Sequence, residues 1–146
     1  MTANSELVVR FFDHWHAARI DDMVAMFAPD GRFHFSATTK PPAVGHEEIR
    51  KFLTDYSALS VTKRLRINAI AEAGSDVFYE AVEDFDLANG RRVTTPYAGV
   101  VRVENGRFTD WRDYFDRATI DGQVAGERGL PPYAHELLER PGDRSA

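Results

Sequence analysis

Apolar residues recur at three- and four-residue spacing through the first sixty positions of the chain and then begin to alternate. Leu7, Val8, Phe11, Phe12 and Trp15 share one side of a helix that Ser5 is placed to cap. After Arg19-Ile20, Asp21 is placed to cap a short second helix with Met23, Val24 and Phe27 inward, and "APDG" breaks it. "RFHFSA" reads as a short strand, and the proline-rich "TTKPPAVG" as a loop that cannot continue it. A third helix begins near His46, with Ile49, Phe52, Leu53 and Tyr56 on one face.

From Lys63 the period is two. "KRLRINAIAEA" is followed, after Gly74-Ser75-Asp76, by "VFYEAVEDFDL", "RRVTTPYAGVVRV" and "RFTDWRDYF". The last three are joined by "ANG" and "ENG", each too short for anything but a hairpin. The tail from Ala118 to Ala146 holds a Gly/Pro-rich stretch and one helical turn around Ala134 to Leu138. Three helices followed by an antiparallel meander predict a single α+β domain over residues 1–146, its helices packed on one face of a curved sheet.

Hairpin register decides which side chains face the helices. Two-residue Asn-Gly turns align Pro96 and Ala98 with Glu83 and Asp113. Three-residue loops, Ala88-Asn89-Gly90 and Glu104-Asn105-Gly106, instead put Thr95, Tyr97, Gly99 and Val101 on the face of Ala81, Glu83 and Phe85, and of Trp111, Asp113 and Phe115. That face is the more apolar of the two, so three-residue loops are predicted at both hairpins.

The inward wall then carries two carboxylates among aromatics. An ionised carboxylate in such surroundings is costly unless it is paired or has a task. Glu83 and Asp113 lie on strands flanking the central one, about two strand spacings or ~10 Å apart. That separation suits general acid–base work across a bound apolar molecule, with Asp113 the principal proton-transfer group and Glu83 the assisting acid. Tyr97, Trp111, Tyr79, Phe35, Phe85 and Phe115 are the expected pocket lining, and Gly99 leaves space beside them. A structural reading stands beside this one: the carboxylates are paired inside a packed core, and a register slip of one residue turns both away.

Composition narrows the classes further. With 43% hydrophobic and 28% charged residues the chain is globular rather than disordered. Its net charge of −5 and scattered basic residues argue against nucleic acid. No apolar run is long enough for a bilayer, and "MTANSELVVR" lacks a basic leader, so a cytoplasmic protein is expected. There is no cysteine, hence no thiolate metal site or cysteine nucleophile, and the histidines show no metal-ligand spacing. His34 alternates with Phe33 and Phe35 and faces away from the pocket. Neither metal nor cofactor is expected. Val82, Pro96, Ala98, Val100 and Tyr114 leave the outer sheet face apolar enough to predict a homodimer.

Helices first, "PPAVGHEEI" opening the third, and "DWRDYFD" after a "GVV…NG" hairpin together resemble the NTF2-like superfamily, and within it the SnoaL-like and limonene-epoxide-hydrolase branch. The likeness spans nearly the whole chain. It implies a cone-shaped α+β barrel around a deep pocket, commonly dimeric, that acts on a small apolar substrate without a cofactor. In the epoxide hydrolases an aspartate, an arginine and a second aspartate form the core of the site, while a tyrosine and an asparagine position the attacking water. The aspartate of the "WRDYFD" strand matches Asp113, and the other acid falls at Glu83. The arginine falls at Ala81, and the tyrosine and asparagine at Phe35 and Ala37. Arg64 or Arg66 is the remaining source of a cation, although alternation forbids both facing inward. The steroid isomerases' base at the end of the first strand has no counterpart in "FSAT", whereas the polyketide cyclases' carboxylate or histidine in a mostly apolar pocket is a pattern this sequence fits. Epoxide opening, cyclisation, isomerisation and a non-catalytic binding or dimerisation module remain open.

Overall fold

The computed structural model describes residues 2–140; Met1 and the end of the expected tail, 141–146, lie outside the described residues. Its elements are α1 (Ala3–His16), α2 (Ile20–Ala25), β1 (Phe27–His34), β2 (Ala43–Val44), α3 (Gly45–Leu59), β3 (Thr62–Lys63), β4 (Arg66–Ala73), β5 (Asp76–Asp86), β6 (Arg92–Glu104), β7 (Arg107–Tyr114) and α4 (Arg117–Ala125), followed by a 3-10 helix over Pro132–Leu138. The sheet runs β2-β1-β7-β6-β5-β3, with β4 also paired to β5. All its pairings are antiparallel except β1 with β7. This is the expected α+β architecture.

The helices bury the stripes their spacing marks out. Val8, Phe11, Phe12 and Trp15 of α1 and Ile49 and Leu53 of α3 enter one core with Phe27, Phe33, Phe108 and Trp111 from the sheet. Thr2, not Ser5, is the N-cap residue of α1, and its side chain makes no capping bond. The Ser5 amide is satisfied from β4 instead, by the Glu72 carboxylate at 2.6 Å. Asp21 does not cap α2 either, because the helix begins at Ile20 and Asp21 falls in its first turn. Phe27 is fully buried but already belongs to β1, which continues through "APDG" as a register shift between Phe27 and Arg32. A proline has no amide to give the ladder and fits such an irregular stretch.

The two hairpins reach the predicted inward face by different routes. At the first, Phe85 pairs with Val93 and Leu87 bonds Arg91, leaving the three-residue loop 88–90. At the second, Glu104 pairs with Arg107, so the turn is only Asn105-Gly106, both at positive φ. A shift between Arg102 and Val103 then restores the register, so Val101 faces Trp111 and Gly99 faces Asp113. The bulge falls at Thr109, which opposes no residue of β6.

Two further features depart from the sequence reading. The first is α4, in the part of the tail read as irregular. Asp116 caps it by accepting from the Ala118 amide at 3.0 Å, and Gly126 closes it in the left-handed conformation. The second is the outer sheet face, which the chain partly covers itself. The 3-10 helix contacts β6 and accepts a hydrogen bond from Arg66 at the Leu138 carbonyl. Val82 is fully buried and Val100 is 9% exposed, whereas Phe78 and Tyr114 stay exposed.

Candidate active site

Three strands bring the aspartate of β7 to its partners. Tyr79 on β5 lies opposite Gly99 on β6, and Gly99 lies opposite Asp113 on β7. The Tyr79 ring crosses Gly99, where a methyl group would stand 2.3 Å from its hydroxyl oxygen. The hydroxyl then donates to Asp113 Oδ1. Trp111, two residues earlier on the same face, donates from Nε1 to that same oxygen at 2.9 Å and to the Tyr79 oxygen at 3.0 Å. Gly99 does leave space, as expected, but Tyr79 occupies it.

Glu83 is held in a parallel way from the helix layer. The Tyr56 hydroxyl of α3 donates to Glu83 Oε1 at 2.9 Å. Its ring is fixed between Phe52, stacked at 5.7 Å, and Trp15, stacked at 5.4 Å. The Lys63 ammonium lies over the Trp15 ring, 5.0 Å from its centroid. Among the described residues, Asp113 Oδ2 and Glu83 Oε2 accept no hydrogen bond.

Both carboxylates open on one cavity with two chambers. Phe33, Phe52, Tyr56, Glu83, Tyr97 and Asp113 line both. The inner chamber, the tighter of the two, reaches back to Phe11, Trp15, Met23 and Trp111. The outer one, about 820 Å³ out to its open mouth, is bounded by Phe35, Leu59 and Phe115 and by Arg117, Ile120, Asp121 and Val124 of α4. The α4 helix is pinned there by Gln123. Its side-chain amide accepts from the Thr94 amide and donates to the Thr94 carbonyl, both at 2.9 Å. The β7 strand ends opposite Ala98, so this side chain pairs the stretch of β6 that β7 does not reach.

Burial dominates the electrostatics. It pushes the Asp113 carboxyl from an ordinary 3.8 up to about 7, against the Tyr79 and Trp111 hydrogen bonds, which favour the ionised form. Burial likewise raises Glu83 from 4.5 to about 7; the Tyr56 bond opposes this, and the charges of Asp113 and Asp84 add to it. Burial also holds the phenols of Tyr56, Tyr79 and Tyr97 well above their usual value, so all three remain donors. Tyr97 lines both chambers, and its hydroxyl has no partner among the described residues.

Of the residues singled out in the sequence, Asp113, Glu83, Tyr97, Trp111, Phe35 and Phe115 border the cavity. Tyr79 stands behind Asp113 rather than on the surface of either chamber. Phe85 also borders neither chamber. It lies at 1% exposure in a second core cluster with Leu87, Val93 and Ile120, where the apolar side of α4 covers it. Trp111 does more than line a pocket: it sits in the helix-packed core, its ring 4.3 Å from that of Phe11. Arg64 bonds Asp84 and Asp86, and Arg66 bonds Leu138, so neither supplies a cation between the acids. His34 lies 3.3 Å from Asp110, away from the cavity. Among the described residues no cluster of three acidic, histidine or cysteine side chains is placed to hold a metal ion, and no helix is long and apolar enough to cross a membrane.

Sequence reasoning missed Tyr56 as the partner of Glu83 and missed all of α4. Tyr56 had a signal: a tyrosine at i+4 from Phe52 on a buried helix face needs an acceptor for its hydroxyl.

A family model for the SnoaL-like domain matches residues 8–111. Among solved structures, an NTF2-like protein of unknown function from Burkholderia pseudomallei is 25% identical with a TM-score of 0.74, over 85% of this chain and 98% of that one. An LEH-like epoxide hydrolase from M. tuberculosis is 21% identical with a TM-score of 0.72, over 86% and 91%. SalBIII, an epoxide hydrolase/cyclase-like enzyme with a role in pyran ring formation in the polyether salinomycin, is 15% identical with a TM-score of 0.71, over 79% and 92%. The last two share the fold with this chain; at such identities nothing more passes between them.

Proposed function

The chain belongs to the SnoaL-like domain family of the NTF2-like superfamily, and from that premise we propose a cofactor-independent enzyme that moves protons on a small, largely apolar substrate. One observation carries the reading: two carboxylates, each tethered through one oxygen by a tyrosine, face the same cavity with the other oxygen free. Asp113 takes two donors on its tethered oxygen, which favours the carboxylate, so it is the base. Glu83 takes one donor and feels the charges of Asp113 and Asp84, so it is the acid. With both shifted to about 7, the pair holds one proton between them near neutral pH.

This arrangement supports two closely related reactions. In epoxide opening, Asp113 accepts the proton of an attacking hydroxyl while Glu83 gives one to the departing ring oxygen; one C–O bond forms as the other breaks. In cyclisation, Asp113 removes a proton beside one carbonyl, the carbon so freed bonds to a second carbonyl carbon, and Glu83 protonates the oxygen whose C=O π bond breaks. In isomerisation, Asp113 returns the proton to a different carbon of the dienol. The absence of an arginine at Ala81, which is fully buried, leaves no cation fixed between the acids. The proposed chemistry therefore runs through the two acids alone. Self-association through exposed Phe78 and Tyr114 belongs to the same reading, and light scattering at micromolar concentration tests it.

The deciding experiment screens a panel of epoxides and of cyclisable ketones or polyenes, then compares Asp113→Asn with the parent on an accepted substrate. Turnover is expected to fall about 10²–10⁴-fold with folding little changed. Full turnover in the variant would make Asp113 structural and the domain a binding module.

A further inference from the structure

Among the described residues, the outer chamber is lined by one basic side chain, Arg117, and the inner chamber by none. Arg117 begins α4, and the helix is fixed on the sheet by the Asp116 cap and the Gln123–Thr94 pairing. The guanidinium is therefore held in place over the chamber rather than carried on a free loop. It spends one N–H: Nε donates to Asp121 Oδ1 at 3.0 Å. Its other N–H groups have no acceptor among the described residues, although the side chain is only 34% exposed. Its charge is also felt at Tyr56, the phenol bonded to Glu83, so it acts on the same cavity as the acids.

From this geometry we infer that Arg117 is a substrate-binding residue, and that the substrate is an amphipathic molecule with an apolar body and a terminal carboxylate. The inference rests on the catalytic reading above and adds a substrate class to it. A planar carboxylate accepts two N–H groups of a guanidinium side by side, the geometry that makes arginine the usual partner of that group. A dianion suits the site poorly, because Asp121 already lies against the guanidinium and Glu83 and Asp113 border the same chamber. The apolar body then lies along Phe35, Phe115, Ile120 and Val124, with its reacting end at the two acids.

Calorimetric binding of 4-phenylbutyrate, its methyl ester and 4-phenylbutan-1-ol to the full chain tests this without any turnover. Wild type is expected to bind the acid about tenfold or more tightly than the ester or alcohol. Arg117→Met, checked for folding by circular dichroism, is expected to bind all three alike, with Arg117→Lys between the two. Equal affinities in wild type, no binding of any of the three, or a preference that survives Arg117→Met would overturn the inference. The same titration on Asp113→Asn separates the two proposals, since carboxylate preference should persist there. Preference without turnover removes only the catalytic reading, and turnover without preference removes only the role of Arg117.

Discussion

Tyr79 and Asp113 stand on strands that are not neighbours, and the phenol of one reaches the carboxylate of the other because Gly99 alone lies between them. The contact ties side-chain volume on the central strand to the position of a carboxylate at the edge of the cavity.

Gly99→Ala is accordingly expected to destabilise the protein by about 1–3 kcal/mol through overpacking, although alanine is ordinarily the better residue within a strand. The added methyl would meet the Tyr79 ring at 2.3–2.6 Å. Tyr79→Ala removes that ring, so the same substitution should cost much less in its background. Urea denaturation of the four proteins checks this; strictly additive costs would show that the strain does not pass through Tyr79.

On the proposed reading, catalysis should be bell-shaped in pH with its maximum near 7, since the base must be ionised and the acid protonated and both titrate around that value. Tyr79→Phe removes a bond that lowers Asp113, so the rising limb should move to higher pH. Tyr56→Phe should move the falling limb the same way through Glu83. Profiles of kcat/KM from pH 5 to 9 on an accepted substrate distinguish the limbs, and one that stays put removes its residue from the assignment.

Stability should carry two opposite pH signatures. Asp113 and Glu83 are raised on folding, so their contribution is full below about 4 and is lost as pH rises through about 7. Asp84 is depressed from 3.8 to about 2; burial opposes the shift, and hydrogen bonds from Arg92 and Arg64 prevail. Its contribution is present above about 4 and is lost as pH falls through about 2. Melting temperatures from pH 2 to 9 should therefore flatten at the upper end in Glu83→Gln/Asp113→Asn, and at the lower end in Asp84→Asn. Near pH 7 Asp84→Asn should cost about 1–3 kcal/mol, below the 3–5 of a fully buried pair, because Arg92 is 63% exposed and stays hydrated.

Trp111→Phe should affect both folding and the site. The indole packs against Phe11, Phe12, Phe27, Phe33, Tyr79 and Phe108, and its Nε1 serves Asp113 and Tyr79. A loss of about 1–3 kcal/mol is expected, together with an Asp113 carboxyl that titrates at higher pH. Calorimetry and carbon-13 NMR of the Asp113 carboxyl measure the two effects. An unchanged titration with lowered stability would reduce Trp111 to packing alone.

Alternation and loop length made the carboxylate face legible in the sequence. Glu83 opposite Thr95 follows from the three-residue loop, while Gly99 opposite Asp113 depends on a bulge at Thr109 that compensates a shorter turn. Period-two reasoning reaches the right face there without seeing the mechanism. Phe85 shows its limit: it shares the parity of Glu83 but lies where the strand passes beneath α4, and parity does not report how far along a strand a cavity extends. The α4 helix was hidden because its buried positions are Ile120, Gly122 and Gln123, a weak apolar stripe. Its punctuation, Asp116 at one end and Gly126 at the other, stood in plain view.

The amide of Gln123 on the backbone of Thr94 has a consequence for how such a pocket diversifies. It separates what holds α4 from what α4 displays. Asp116, Gln123 and Gly126 fix the helix together with Ile120 and Val124, which pack on Phe85, Leu87 and Val93, while Arg117 and Asp121 border the chamber without entering that core. The second set can change without disturbing the first, and neither set includes Tyr56, Tyr79, Glu83 or Asp113. A library restricted to those two wall positions would vary what the mouth accepts while the two buried carboxylates stay as they are, which makes this helix an exchangeable reading head on an unchanged floor.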